Sequence, residues 1–207
     1  FSEDFIWSDA APAGINDQQI LGLSYNGKCV VMLDPAKATV NYWDLSMTYN
    51  EQFCAIARHT EGTYIVYPAE FYYVLAEDGS LWQFTLYTSD NGKTYNLTHT
   101  RLGYTGLELM GVSNITDGQT ASMIYDEESG YLVLAARISD GTTHVYMIQP
   151  ESQLVTELGD FGSGIWPVTT LYQYDRVSQL SIRSDMTDCE IFAGDGLQFS
   201  AVVLPDS

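Results

Sequence analysis

The chain has 207 residues and a mass of 23.0 kDa, the size of one ordinary domain, and size scaling lets about 70% of its unfolded surface be buried without a metal or disulfide staple. Hydrophobic residues at 45% exclude a disordered chain, and no apolar run reaches the ~18 residues of a membrane-spanning helix. Asp and Glu number 27 against 8 Lys and Arg, a formal net charge of −19, which repels phosphate and argues against nucleic acid and against anionic membrane surfaces as partners.

At the start of the chain, Phe1 is followed by no charged stretch with an apolar core behind it. The chain therefore reads as one that has lost a leader or been cut from a longer protein. The first strong signal is the hairpin Ser24-Tyr25-Asn26-Gly27 with Lys28–Pro35 behind it, then a turn at Pro35–Lys37 and a strand over Val40–Leu45. Asn-Gly accepts positive φ at low cost and suits a tight hairpin. Thr48 and Glu51 have capping-box spacing, and Phe53, Ile56 and Ala57 could form a helical stripe. A short helix over 48–58 is the minor reading there, because Gln52–Arg58 also reads as a strand.

A second unit follows the same plan, with strands Tyr72–Ala76 and Leu81–Thr88 around Asp78-Gly79, a turn at Ser89–Lys93 and a strand Tyr95–Thr100. The third has Thr120–Tyr125, then Tyr131–Ala136 and His144–Gln149 around Asp140-Gly141, then Pro150–Ser152 and Leu154–Leu158. The fourth is looser. Val168–Tyr174 opens it, Ser184-Asp185 aligns with Ser139-Asp140, and Leu197–Leu204 is its last strand; a second register would put Gly196 at the turn. Gly27, Gly79 and Gly141 thus recur roughly every 50–60 residues, and four strands in such a span are the unit of a propeller blade. The inner runs VVML, YYVLA, YLVLAA and VYMI are continuously apolar, as expected of strands buried on both faces. The expected fold is all-β and β-propeller-like, about four blades of four antiparallel strands near 1–58, 59–112, 113–165 and 166–207. A β-sandwich or barrel is the alternative. An incomplete ring would leave sticky faces and drive self-association.

Thr88-Ser89-Asp90-Asn91-Gly92-Lys93-Thr94-Tyr95 resembles an Asp box, in which Ser or Thr, Asp, Gly, Thr and an aromatic recur at fixed spacing. The segment is similar to the repeats of sialidases and other Asp-box propellers, and the resemblance covers these eight residues. It implies a structural cap, made by Thr88, Asp90, Gly92, Thr94 and Tyr95, on the hairpin between the third and fourth strands of a blade. Locally, Asp90 can bond turn N–H groups, Gly92 permits positive φ, and the Tyr95 ring can cover the turn. Sialidase chemistry is not implied. The early Arg-Ile-Pro motif is absent, and nothing in the sequence brings three of Arg58, Arg101, Arg137, Arg176 and Arg183 together.

No catalytic residue stands out. His59, His99 and His144 are isolated, without metal-ligand spacing. Gly162-Ser163-Gly164 lacks the Lys-Ser/Thr pair of a phosphate loop. Asp126-Glu127-Glu128 and the group Asp185, Asp188 and Glu190 read as solvated turns. Neither has the spacing of an EF-hand loop, and a weak Ca2+ site is the only cofactor they leave room for. Trp7, Trp43, Trp82 and Trp166 serve either as sugar platforms or, the heavier reading, as packing between blades. Asn96-Leu97-Thr98 and Asn114-Ile115-Thr116 fit the glycosylation pattern. Cys29, Cys54 and Cys189 are odd in number with no CxxC pair, so buried free thiols are expected, with one disulfide and a spare thiol as the other possibility. The acidic, Tyr-rich, Lys-poor composition goes with a secreted or cell-surface location. The expected function is a non-catalytic binding or scaffold module for a protein or glycan partner. A glycan-active hydrolase of the Asp-box kind, with paired carboxylates, is the alternative.

Overall fold

A computed structural model describes residues 7–14, 18–24, 26–46, 50–59, 69–89, 94–110, 120–170 and 179–184. Its elements are all strands: β1 (Trp7–Ala13), β2 (Gln19–Ser24), β3 (Cys29–Asp34), β4 (Thr39–Asp44), β5 (Phe53–His59), β6 (Ala69–Ala76), β7 (Ser80–Ser89), β8 (Thr94–Tyr104), β9 (Ala121–Asp126), β10 (Tyr131–Arg137), β11 (Thr142–Ile148), β12 (Val155–Ser163), β13 (Ile165–Thr170) and β14 (Gln179–Ser184). They form three four-stranded antiparallel sheets, β1–β4, β5–β8 and β9–β12, each with its strands in chain order, and a β13–β14 pair. The all-β expectation holds across the described residues.

The apolar runs explain the layering. In β6, Tyr72, Val74 and Ala76 enter one core with Leu21, Leu23, Val30 and Met32 of the first sheet. Tyr73 and Leu75, on the opposite face, enter a second core with Leu132, Leu134, Tyr146 and Ile148 of the third. The second sheet is therefore a middle layer with a core on each side, which is why its inner strands carry no polar alternation. Phe53 is fully buried and meets Trp82 and Phe84 edge-on, at 5.7 and 5.1 Å between ring centroids. Each such side chain contributes about 1.5–3 kcal/mol by leaving water.

The first strands of successive sheets lie against one another: β1 on β5, β5 on β9 and β9 on β13. Small residues allow it: Ala11 and Ala13 of β1, Cys54, Ala55 and Ala57 of β5, and Ala121 and Ser122 of β9 are all buried. Cα atoms of β1 and β9 also come within 8 Å of each other. Three flat layers at about 10 Å spacing would hold those strands roughly 20 Å apart, so the stack curves tightly around its first strands.

Residues 53–59 are a strand, not the end of a helix. Five consecutive residues from Phe53 are buried, which suits a strand between two sheets and not a one-sided stripe. Because β5 pairs with β6, the change from first to second sheet lies between Asp44 and Phe53, ahead of the expected division at 58. No turn dipeptide precedes Phe53 to mark the division.

The three turns with Asn-Gly or Asp-Gly are built alike. Gly27, Gly79 and Gly141 have φ of 63°, 78° and 86°. Their amides donate to Ser24, Ala76 and Ile138 carbonyls at 2.8, 3.0 and 2.9 Å. Asn26, Asp78 and Asp140 each accept from the backbone N–H two residues on, at 3.1, 2.9 and 2.8 Å. The chain then uses the first two of these turns as anchors on its way to the next sheet. Phe53 N donates to Gly27 O at 2.9 Å and Thr105 N to Gly79 O at 2.8 Å, while Glu77 N donates to Gln52 O at 2.9 Å and Met110 N to Arg137 O at 2.9 Å. The orphan backbone groups of turn and link satisfy one another.

A Cβ at Gly79 would sit 2.3 Å from Leu107 O, whereas one at Gly106, with the same φ of +78°, would meet nothing within 4 Å. Gly106→Ala should therefore cost about 1 kcal/mol of conformational strain, and Gly79→Ala roughly 3 kcal/mol or more. Urea unfolding of both variants measures the difference, and equal losses would contradict the anchoring role.

Candidate functional site

The Asp-box-like segment falls at the hairpin between β7 and β8, with Thr88 paired to Tyr95 and Ser89 to Thr94. Asp90 and Gly92 lie outside the described residues. Tyr95 reaches across to the first sheet. Its ring packs against the first core, and its hydroxyl accepts from Gln19 Nε2 at 3.0 Å. The same amide donates to Asp34 Oδ2 at 2.7 Å. Asp34 also accepts from the Lys37 amide at 3.1 Å and pairs with its Nζ at 3.1 Å. The Gln19 hydrogen bond, above all, and then Lys37 hold the Asp34 carboxyl below its ordinary range.

A second polar group ties the first two sheets together. Both Glu70 oxygens accept from Gly14 N at 3.0 Å, and Tyr72 OH donates to Oε2 at 2.6 Å. Arg58 Nη2 donates to Gly14 O at 3.0 Å and stands 3.5 Å from Glu70. Tyr72 is fully buried and the carboxylate is engaged by backbone, so the group works as a clasp between the two sheets. Next to it His59 stacks on Tyr73 at 5.3 Å and meets Tyr125 edge-on at 4.6 Å.

The remaining candidates separate. His144 Nδ1 lies 2.9 Å from Glu157 and Nε2 2.7 Å from Thr142 Oγ1, over a stacked Tyr146. His99 meets the edge of Phe84. Asp126 accepts from Glu128 N and Ser129 Oγ, and the Ser129 bond leads in lowering its pKa. Among the described residues no three His, Cys, Asp or Glu side chains are placed to hold a metal ion. Asp185, Asp188, Glu190 and Cys189 lie outside them. Cys54 is a buried free thiol whose pKa burial pushes well up. Cys29 is free and sits 2.9 Å from Tyr42 OH, which raises that phenol to about 12. Trp43 and Trp82 are packing residues; the side chains of Trp7 and Trp166 are outside the described set. Asn96 donates to Ser89 Oγ at 3.2 Å, and Asn114 is not described.

One group faces outward. The Arg101 guanidinium lies 5.6 Å from the Trp82 ring centroid and 5.0 Å from that of Tyr104, and its Nη1 donates to Tyr104 OH at 2.7 Å. Glu51 stands 3.7 Å away, and Lys28 Nζ binds the carbonyls of Asn50 and Glu51 beside it. Trp82 is held by a 2.8 Å bond from Nε1 to Ser80 Oγ. Tyr104 is 56% exposed. Residues three apart in a regular strand point to opposite faces. The register shift opposite Leu81/Trp82 is what puts Arg101 and Tyr104 on one face, as a bulge does. Composition and spacing carried no sign of this, because a bulge depends on how two strands pair.

No protein-family model matches the chain, and no curated protein sequence matches it. Among solved structures, a point mutant of NanB sialidase from Streptococcus pneumoniae is similar at a TM-score of 0.37 and 12% identity, over 77% of this chain and 25% of that one. The chain thus spans about a quarter of the length of that structure.

Asp34 is ionised more readily in the fold than in the unfolded chain, so it adds stability above its unfolded value of 3.8, and that contribution is lost as pH falls below it. Asp34→Asn should flatten the fall in unfolding free energy below pH 3.8, measured by urea titration at each pH; an unchanged slope would contradict the Gln19–Asp34–Tyr95 link. Glu70→Ala removes the acceptor for Gly14 N and Tyr72 OH and should cost about 2–4 kcal/mol in the same assay.

Proposed function

We propose that the three sheets are successive blades of a β-propeller-like ring of about four, and that the molecule is a non-catalytic binding module acting at the cell surface or after secretion. The fold reading is supported by the doubly buried middle sheet, the curvature around the first strands and the recurring anchored turns. The functional reading rests on one observation: a cation placed beside a packed indole and an exposed phenol, Trp82–Arg101–Tyr104, at the outer edge of the second sheet. An exposed aromatic with fixed N–H donors beside it suits the apolar face and hydroxyls of a sugar ring. The surrounding charge of −19 favours neutral glycans over anionic ones.

A glycan array with fluorescently labelled protein tests this. Binding to neutral glycans that falls at least tenfold in both Tyr104→Ala and Arg101→Ala, with the unfolding midpoint almost unchanged in the exposed Tyr104 variant, is the expected result. Undiminished binding in those variants overturns the patch. Turnover of chromogenic glycosides overturns the non-catalytic reading in favour of a hydrolase with paired carboxylates, and binding only to protein partners overturns the glycan assignment.

A further inference from the structure

Two residues of the Arg101 group sit on links that are fixed to the glycine turns. Asn50 and Glu51 lie ahead of β5, where Lys28 Nζ donates to their carbonyls at 2.6 and 2.9 Å. The next two residues are held as well: Gln52 O accepts from Glu77 N at 2.9 Å, and Phe53 N donates to Gly27 O at 2.9 Å. On the other side Tyr104 ends β8, and Thr105 donates to Gly79 O at 2.8 Å through both its amide and its hydroxyl. Glu51 therefore enters from the turn end of the first sheet and Tyr104 from that of the second. The Arg101 guanidinium is in reach of both.

The Glu51 carboxylate is not consumed by this contact. Its 3.7 Å separation from Nη1 is wider than a hydrogen bond, and among the described residues no donor stands closer to it. Its side chain is 19% exposed, so an accepting oxygen is presented at the edge of the patch. Arg101 Nη1 gives one proton to Tyr104 OH. The planar fork carries further N–H donors, and the side chain is 44% exposed. The Tyr104 hydroxyl accepts from Arg101 and keeps its own proton to give. The two opposite charges offset one another, so the patch favours a neutral ligand, and a carboxylate placed there would face Glu51 at close range.

We infer that Glu51 and Arg101 together read two adjacent hydroxyls of a neutral sugar whose apolar face lies on Tyr104. One hydroxyl donates to the Glu51 carboxylate, and its neighbour accepts from the guanidinium. This rests on the glycan reading above and deepens it. Tyr104 alone accepts any sugar with a flat apolar face, whereas an acceptor beside a donor selects by hydroxyl position and rejects a sugar acid. Hydrogen bonds to charged groups are the stronger kind, and a carboxylate that gives up water without gaining a hydroxyl is penalised. Glu51 is thus the residue that sets specificity at the patch.

The test titrates the full chain with the methyl glycosides of galactose, glucose and mannose, their monodeoxy analogues and the matching uronic acids, followed by protein NMR shifts. The expected result is binding of at least one neutral glycoside that is lost in Tyr104→Ala and that weakens about tenfold or more when either of two adjacent hydroxyls is removed. Glu51→Gln should weaken the same glycoside to a similar degree, and the matching uronic acid should gain on its neutral parent in that variant. Deoxy analogues that bind as well as their parent, or a Glu51→Gln variant with unchanged affinity and unchanged discrimination against the uronic acid, overturn the inference; if that binding still needs Tyr104, the glycan reading stands. Binding of none of the three neutral glycosides overturns the inference, and a blank glycan array beside it takes the glycan reading down as well.

Discussion

The burial of both faces of the second sheet is the constraint on which the rest of the molecule depends. Tyr72 and Val74 point one way and Tyr73 and Leu75 the other, and both sets are out of water. A sheet of this kind cannot stand alone or in a simple pair, because one of its apolar faces would remain wet. It needs a neighbour on each side, and each neighbour presents its own second face in turn. Curvature then follows from side-chain size. Alanine, serine and cysteine on β1, β5 and β9 let the first strands approach closely, while Trp82 and Phe84 on β7 hold the sheets apart further out.

Polar contacts fix the sheets in place more than they drive them together. The glycine turns bind the links between sheets through backbone groups that would otherwise be unsatisfied. Two side-chain groups, Gln19–Asp34–Tyr95 and Gly14–Glu70–Tyr72 with Arg58, connect the first sheet to the second. Each joins residues far apart in the chain, so it is specific to one register of one sheet on the next. Unpaired partners at such sites are costly, which makes these contacts determinants of geometry as much as of stability. The Arg101 patch differs because its aromatic member faces water.

How far this was legible in the sequence varied with the kind of signal. The hairpins at Asn26-Gly27, Asp78-Gly79 and Asp140-Gly141 were, because positive φ is a property of the residue itself, and so was the strand content, because continuous apolar runs between such turns admit little else. Over 48–58 capping-box spacing and a strand-like run coexist, and pairing with β6 decides residues 53–59. The division between the first two sheets, ahead of Phe53, carries no turn dipeptide to mark it. The bond from Gln19 to the Tyr95 hydroxyl has no local signal, because it joins residues 76 positions apart in different sheets.

What the sequence determined by itself was local: an acidic all-β chain, where it turns, and which strands need burial on both faces. Those properties reside in single residues and their immediate neighbours. The tertiary structure alone decided which carboxylates are consumed as clasps and that Arg101 and Tyr104 share a face. Both depend on strand register and on contacts between residues tens of positions apart, and a one-residue shift in pairing, which composition cannot register, reverses every side chain beyond it.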